Sequence, residues 1–256
     1  MIKIATPISH LLKENKDFVQ IGEYSDCWEC RDKSFYSIIE KQEVFHCDLQ
    51  PMHNITDEQL RYLKKIRNNK PDLKLITFHC ASNCDQPTVN KEGMFEVGGK
   101  RYSKIEMLEN AKTNFSIIKK IFGDDIKIGI ENNNYYNTPA YDYVTDPEFI
   151  SSIVCDNELE FLFDIAHAKV TCYNRKLNFN DYKNKLPLDR IIQIHVCHYG
   201  IDKNGLAYDA HELPGEEEIE EILNLVSSYN VMYITIEFYK DKIGLINCLK
   251  EIKKIL

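Results

Sequence analysis

Phe161-Leu-Phe-Asp-Ile-Ala-His167 is a short apolar run that ends on an acid, with a histidine three residues further on. Apolar on both faces and too short for a helix, it reads as a strand buried in a parallel sheet. Asp164 and His167 then stand at its carboxyl end, aimed at one point. The pattern returns elsewhere: Ile126-Lys-Ile-Gly-Ile130 stops at Glu131, and Tyr233-Ile-Thr-Ile236 stops at Glu237. Ile194-His-Val-Cys-His198 and Tyr208-Asp-Ala-His211 repeat the theme with His195, Asp209 and His211.

Extending this reading along the chain predicts eight strands: Ile2–Ala5, Phe18–Gly22, Glu43–Cys47, Lys74–His79, Ile126–Ile130, Leu159–Phe163, Ile191–Val196 and Met232–Glu237. Helix-like segments lie between them. Thr56–Asn69 opens on a Thr-x-x-Gln pattern suited to a capping box. Ser103–Phe122 carries Ile105, Leu108, Phe115, Ile118 and Phe122 as one apolar stripe. Glu216–Tyr229 opens on acids that favour a helix N-terminus, and Lys242–Leu256 repeats the amphipathic pattern. Strands alternating with helices pair in parallel through right-handed crossovers, so eight units predict an α/β fold, a closed (β/α)8 TIM barrel. A doubly wound sheet would show a Gly-rich phosphate turn after the first strand, and none follows Ile2–Ala5. The 256 residues match the roughly 250 of one such barrel, so 1–256 is expected to form a single TIM-barrel domain. Two connections, Cys80–Tyr102 and Val196–Pro214, exceed the usual few residues; both follow strands, which predicts them on the face where barrel sites form.

A hydrophobic fraction of 43% is ordinary for a packed core and argues against disorder. The formal net charge of −8, with no long basic run, makes a nucleic-acid partner unfavoured. Met1-Ile-Lys-Ile-Ala-Thr6 reads as a strand rather than a signal segment, and no apolar run nears the roughly 20 residues that cross a bilayer. The cysteines number nine, odd and without a spaced framework, which suits a reducing compartment, so the expected location is the cytoplasm. Cys27-Trp-Glu-Cys30 is a lone CxxC pair and cannot complete a tetrahedral zinc site; it reads as two half-buried thiols beside a strand end.

The strand ends hold the chemistry. His46, His79, Glu131, Asp164, His195 and Glu237 end six consecutive predicted strands, with His167, Asp209 and His211 just beyond. A single histidine at a strand end is more often packed or hydrogen-bonded than a ligand; six such ends in succession reverse that preference. Imidazoles mixed with carboxylates suit iron, zinc or manganese, without the thiolates of a structural zinc site. Nine donors exceed what one ion with an open position needs, which predicts two or three ions with Glu131 and Asp164 as bridges. Glu131, Asp164, His195 and Glu237 are the expected catalytic group. His198, His53, Asn133 and Tyr135 are expected to orient the ligands or meet the substrate, while His10 is placed on the first helix without a role.

The order His46, His79, Glu131, Asp164-x-x-His167, His195, Asp209-x-His211, Glu237 resembles the xylose-isomerase-like barrel superfamily with a trinuclear metal site. Two of its branches share that order: apurinic endonucleases, which use three zinc ions, and multinuclear non-haem iron-dependent oxidative enzymes, which modify cysteine-containing ribosomal peptides. Ile130-Glu-Asn-Asn133, Thr145-Asp-Pro-Glu-Phe-Ile150, Phe163-Asp-Ile-Ala-His-Ala168 with Asn174, and Tyr208-Asp-Ala-His-Glu212 are similar to motifs of the iron branch. The resemblance implies one iron on Glu131, Asp164, His195 and Glu237, a second on His46, His79 and Glu131, and a third on His167, Asp209 and His211. The chain departs from that pattern at His167, where the iron branch commonly has Asn, and at Cys197-His198-Tyr199.

The resulting expectation is an enzyme that uses two or three iron ions and dioxygen to modify a peptide at cysteine. The acidic chain suits a peptide with basic segments, free or presented by a partner protein. The alternatives are a trinuclear zinc phosphodiesterase and a divalent-metal sugar isomerase or epimerase. The first needs cations along the site loops, yet 132–149 has no Lys or Arg and Cys80–Tyr102 offers only Lys91, Lys100 and Arg101. The second leaves His46, His79 and His211 unexplained.

Overall fold

Eight parallel strands close on themselves in sequence order: β1 (Lys3–Pro7), β2 (Cys27–Arg31), β3 (Val44–Cys47), β4 (Leu75–Phe78), β5 (Lys127–Glu131), β6 (Glu160–Asp164), β7 (Ile191–Val196) and β8 (Tyr233–Ile236). The structure, a computed structural model, describes residues 1–256. β8 pairs with β1 through Lys3↔Tyr233 and Ala5↔Thr235, so the sheet has no free edge. The helices are α1 (Asn15–Gly22), α2 (Asp57–Asn69), α3 (Lys104–Phe122), α4 (Pro147–Asp156), α5 (Ile165–Arg175), α6 (Phe179–Lys183), α7 (Glu216–Ser228) and α8 (Lys242–Ile255). β2 and β3 are joined without an α-helix, through a 3₁₀ turn at Asp32–Ser34. The chain is therefore a (β/α)8-type TIM barrel, as its sequence predicts.

The helices dock by the means their sequences provide. At α2 the Thr56 hydroxyl accepts from the Gln59 amide and the Gln59 carbonyl accepts from the Thr56 amide, closing the expected capping box. Along α3 the buried stripe is Met107, Ala111, Phe115, Ile118 and Phe122, and each large apolar side chain fully buried there contributes about 1.5–3 kcal/mol. The predicted stripe is off by part of a turn at its start: Ile105 is exposed, because the buried row runs through Met107 and Ala111.

The second strand is the main correction. Phe18–Gly22, expected as a strand, lies in α1 and buries only Ile21 there. The strand is Cys27-Trp-Glu-Cys-Arg31, so Cys27 and Cys30 are fully buried within it rather than half-buried beside its end. His10 lies in a turn before α1, not on it.

The two long connections each fold into a hairpin at the carboxyl ends of the strands. Thr88–Val89 pairs with Phe95–Glu96 in the first, and His198–Ile201 with Ala207–Glu212 in the second. No helix is long and apolar enough to cross a membrane.

Candidate metal centre

Side chains alternate along a strand, so residues two apart share the inner wall of the barrel. The wall changes character from floor to mouth. Ala5, Cys27, Val44, Leu75, Ile192 and Tyr233 form a buried apolar cluster at the floor. One step up, Glu29, Thr77, Gln193 and Thr235 are buried and polar. One further step brings Arg31, His46, His79, Glu131, Asp164, His195 and Glu237 together at the mouth.

Separations of 3.0 to 4.0 Å link all nine predicted donors into one network. Glu131 is the hub: its Oε2 lies 3.4 Å from His46 Nε2 and 3.1 Å from His79 Nδ1, and its Oε1 lies 3.3 Å from His195 Nδ1 and 3.7 Å from His167 Nδ1. His195 Nδ1 is 4.0 Å from Asp164 Oδ2 and 3.3 Å from Glu237 Oε1. The second hairpin folds back to add Asp209, 3.5 Å from His167 Nε2, and His211, 3.0 Å from Asp209 and 3.6 Å from Glu237. His211 holds φ +46°, a left-handed conformation that non-glycine residues adopt at a cost and most often near functional sites.

Local structure explains why these residues meet. Asp164 ends β6 and caps α5: its Oδ1 accepts from the His167 amide at 2.7 Å, which leaves Oδ2 facing the ring. Asn132 braces the neighbouring strand end, its side-chain oxygen accepting from the Asp164 amide and its NH₂ donating to the Asp164 carbonyl. Asn174 on α5 clamps the second hairpin through both the N–H and the carbonyl of Ala207.

Three of the imidazoles have one nitrogen engaged at close range and the other turned to the ring. His167 Nδ1–H donates to the Asn132 carbonyl at 2.9 Å, His195 Nε2 meets Glu29 Oε2 at 2.9 Å, and His46 Nδ1 meets Thr77 Oγ1 at 2.8 Å. Partners of this kind fix the tautomer and aim the free lone pair at an ion. On the outer side of His79, Nε2 faces Asp48 at 3.6 Å.

The charges are those of an anionic cage. Burial disfavours the Glu131 carboxylate, but the imidazoles of His46, His167 and His195 outweigh it and hold it well below the usual range. Burial likewise opposes Glu237, and Arg31 with His195 holds it ionised. Burial, together with the carboxylates of Glu237, Glu131 and Asp209 beyond what His167 offsets, pushes Asp164 up to about 7. Burial, followed by the neighbouring His79, pushes His46 down to about 4, so its lone pair is free.

Glu131 Oε2, Asp164 Oδ2 and His195 Nδ1 are buried with no hydrogen-bond partner. Leaving such groups unpaired costs about 1–3 kcal/mol each. A cation in the ring would satisfy all three, and tetrahedral ligands about 2.1 Å from an ion stand about 3.4 Å apart, matching the separations above. The donor atoms of His46, Glu131 and His195 lie within 4.8 Å of one another, as do those of Glu131, Asp164 and His167, so Glu131 belongs to two ion-sized groups. Residues and cation fit.

Glu29, Arg31 and Cys197 join the ring without having been foreseen. Glu29 lies within the same spacing of His195 and Glu237, but its oxygens already accept from Arg31, Gln193, Thr235 and His195. It orients rather than ligates. Arg31 pairs with both Glu29 and Glu237. The other sequence candidates stand apart: His53 Nε2 donates to the Ser82 carbonyl and its ring stacks on Tyr102; His198 faces Glu218; Asn133 donates to the Ala81 carbonyl; and the Tyr135 hydroxyl donates to Asn137.

Among solved structures the chain is similar to 3-keto-D-glucoside 4-epimerase from E. coli, with 13% identity, TM-score 0.66 and coverage of 99% of this chain and 100% of that one. It is also similar to a xylose-isomerase-like TIM-barrel protein from Mycobacterium smegmatis, with 12% identity, TM-score 0.59 and coverage of 100% and 95%. These likenesses show the fold, a TIM barrel. A UPF0276 protein of Vibrio parahaemolyticus is 24% identical over 119 residues, 45% of this chain and 41% of its own length, so the chain matches less than half of that curated relative. Residues 102–255, which carry Glu131, Asp164, His167, His195, Asp209, His211 and Glu237, match the family described as "RiPP precursor modification enzyme MbnB/TglH/ChrH". With the motifs, the fold and more than half of the chain in agreement, the protein belongs to the MbnB/TglH/ChrH family of RiPP precursor modification enzymes.

Proposed function

We propose that this protein is a multinuclear iron-dependent oxidative enzyme that uses dioxygen to modify a cysteine-containing ribosomally made peptide, free or presented by a partner protein. The observation that carries the reading is the continuous ring of nine imidazoles and carboxylates with three orphaned ligand atoms at its centre, in a chain of this family. In this reading Glu131, Asp164, His195 and Glu237 hold one ion, His46, His79 and Glu131 a second, and His167, Asp209 and His211 a third. Bound iron supplies one-electron chemistry and a coordination position for dioxygen and the substrate sulfur.

The chain's own residues supply order. Glu29 holds His195 with Nδ1 inward, Thr77 holds His46 with Nε2 inward, and the Asn132 carbonyl does the same for His167. Because these partners are fully buried on, or directly after, barrel strands, the donors need little reorganisation when they bind. Arg31 offsets part of the carboxylate charge at Glu237 and Glu29. Tyr239 lies over this edge, its hydroxyl donating to Glu237 Oε1 at 3.4 Å and its ring 5.0 Å from that of His211.

A zinc phosphodiesterase is less well supported, because of the three loop cations it would use, Lys91, Lys100 and Arg101, the last two are engaged by Glu106 and Asp142. The test is metal content of anaerobically purified protein by plasma mass spectrometry, with Mössbauer and electron paramagnetic resonance spectra. Two or three irons per chain with a coupled mixed-valent signal is the expected result. Three tightly held zinc ions and no iron would overturn the proposal.

A further inference from the structure

Cys197 follows β7 directly and is buried. Its Sγ lies 3.2 Å from Asp209 Oδ1, and Sγ, an Asp209 oxygen and a Glu237 oxygen all fall within 4.8 Å of one another. His211 Nε2 reaches the same two carboxylates, at 3.0 Å from Asp209 Oδ2 and 3.6 Å from Glu237 Oε2. One sulfur, one nitrogen and two carboxylates thus converge from the end of β7, the second hairpin and the end of β8. A buried cysteine alone is most often a small apolar filler. Here the thiol sits among donors whose neighbour, Asp164 Oδ2, is itself buried and unpartnered.

We infer that Cys197 is a sulfur ligand that joins His167, Asp209 and His211 around the third ion, a divalent d-block cation at the hairpin side of the ring beside Glu237. The inference rests on the multinuclear reading above and adds a donor to it. Binding is an exchange without redox change: the Sγ–H bond is lost, the proton leaves to solvent, and the Sγ–metal bond replaces the contact with Asp209. A soft thiolate among imidazole and carboxylate donors favours iron, cobalt or zinc there over magnesium, calcium or manganese.

Cobalt(II) is the probe, added anaerobically to the ion-free full chain. Visible d–d bands report ions in the ring, and a near-ultraviolet sulfur-to-cobalt charge-transfer band reports a thiolate on one of them. The wild type should show both, with a sulfur scatterer at about 2.3 Å in cobalt-edge X-ray absorption. Cys197→Ser should keep the visible bands and lose the charge-transfer band and the scatterer, and Cys197→Ala should do the same. Serine still donates to Asp209, so a purely hydrogen-bonding cysteine would leave no band to lose. Visible bands without charge transfer in the wild type would overturn the inference while leaving the ring reading intact, and so would a charge-transfer band that persists in both variants. No cobalt uptake by the wild type would overturn both.

Discussion

Glu29 Oε2 lies 2.9 Å from His195 Nε2, across a barrel interior that shields both from solvent. The same oxygen accepts from Gln193 at 2.7 Å and from Thr235 at 3.0 Å, while Oε1 accepts from Arg31. One carboxylate from β2 thereby fixes a ring histidine on β7 and the only guanidinium at the ring's edge. Burial works against its charge, and His195 and Arg31 more than compensate, holding it down at about 2.

Removing that carboxylate should loosen the ring without removing a donor from it. Glu29→Ala leaves His195 free to rotate and Arg31 with Glu237 alone, and the loss of such an orienting partner typically costs about 10–100-fold in metal affinity. Glu29→Gln keeps an acceptor for His195 Nε2 and should fall between alanine and wild type. Competition titration with a chromophoric chelator measures both, and wild-type affinity in Glu29→Ala would refute the role.

Thr77 does for His46 what Glu29 does for His195. The two residues are direct partners across β3 and β4, and the Thr77 hydroxyl is 2.8 Å from His46 Nδ1. Thr77→Val keeps the shape and deletes the hydroxyl, so metal affinity should drop about tenfold or more while Thr77→Ser restores it. Equal affinities for Val and Ser at this position would show that the hydroxyl does not set the tautomer.

The ring was legible because its members end strands that are otherwise apolar, so each His, Asp or Glu stands out against its run. Glu29 and Arg31 were not. β2 reads Cys-Trp-Glu-Cys-Arg, and its inward side chains are polar because they meet Gln193, Thr235 and Glu237 rather than a hydrophobic core. The strand therefore lacks the apolar signature, which the neighbouring Phe18-Val-Gln-Ile-Gly22 run carries instead. Cys197 escaped for another reason: only the fold-back of the hairpin, clamped by Asn174, brings Asp209 to its sulfur. Pairings between distant segments leave no mark in local periodicity.

Protons compete with ions for the ring. Burial disfavours the charged form of His79, yet Asp48 and Glu131 outweigh it and raise the imidazole from 6.5 to about 9, while burial and nearby carboxylates raise Asp164 from 3.8 to about 7. A group whose folded value is raised favours the folded state while it is protonated, and that contribution fades as pH climbs through the folded value. The ion-free protein should therefore lose stability as pH rises through about 7 and on to about 9. The ion-bound protein, whose ligands are already deprotonated, should not. The gap in Tm between the two forms should widen with pH across this window; a constant or narrowing gap in thermal scans would contradict the coupling.

Glu131 and Asp209 should differ sharply as mutational targets, because one is a hub and the other a limb. Glu131 faces His46, His79, His167 and His195, whereas Asp209 faces His167 and His211 from a hairpin outside the barrel wall. Asp209→Ala should cost about one ion per chain and leave the others, since the donors on β3 to β8 keep their positions. Glu131→Ala should abolish tight binding of the two ions it is shared between. The loss should also show in stability, because an ion at about 1,000 times its Kd stabilises the folded state by about 4 kcal/mol that a non-binding variant cannot recover. Plasma mass spectrometry after dialysis, paired with thermal melts with and without metal, reads both effects. If Asp209→Ala empties the ring as completely as Glu131→Ala, the ions bind as one inseparable unit and the division into sites is wrong.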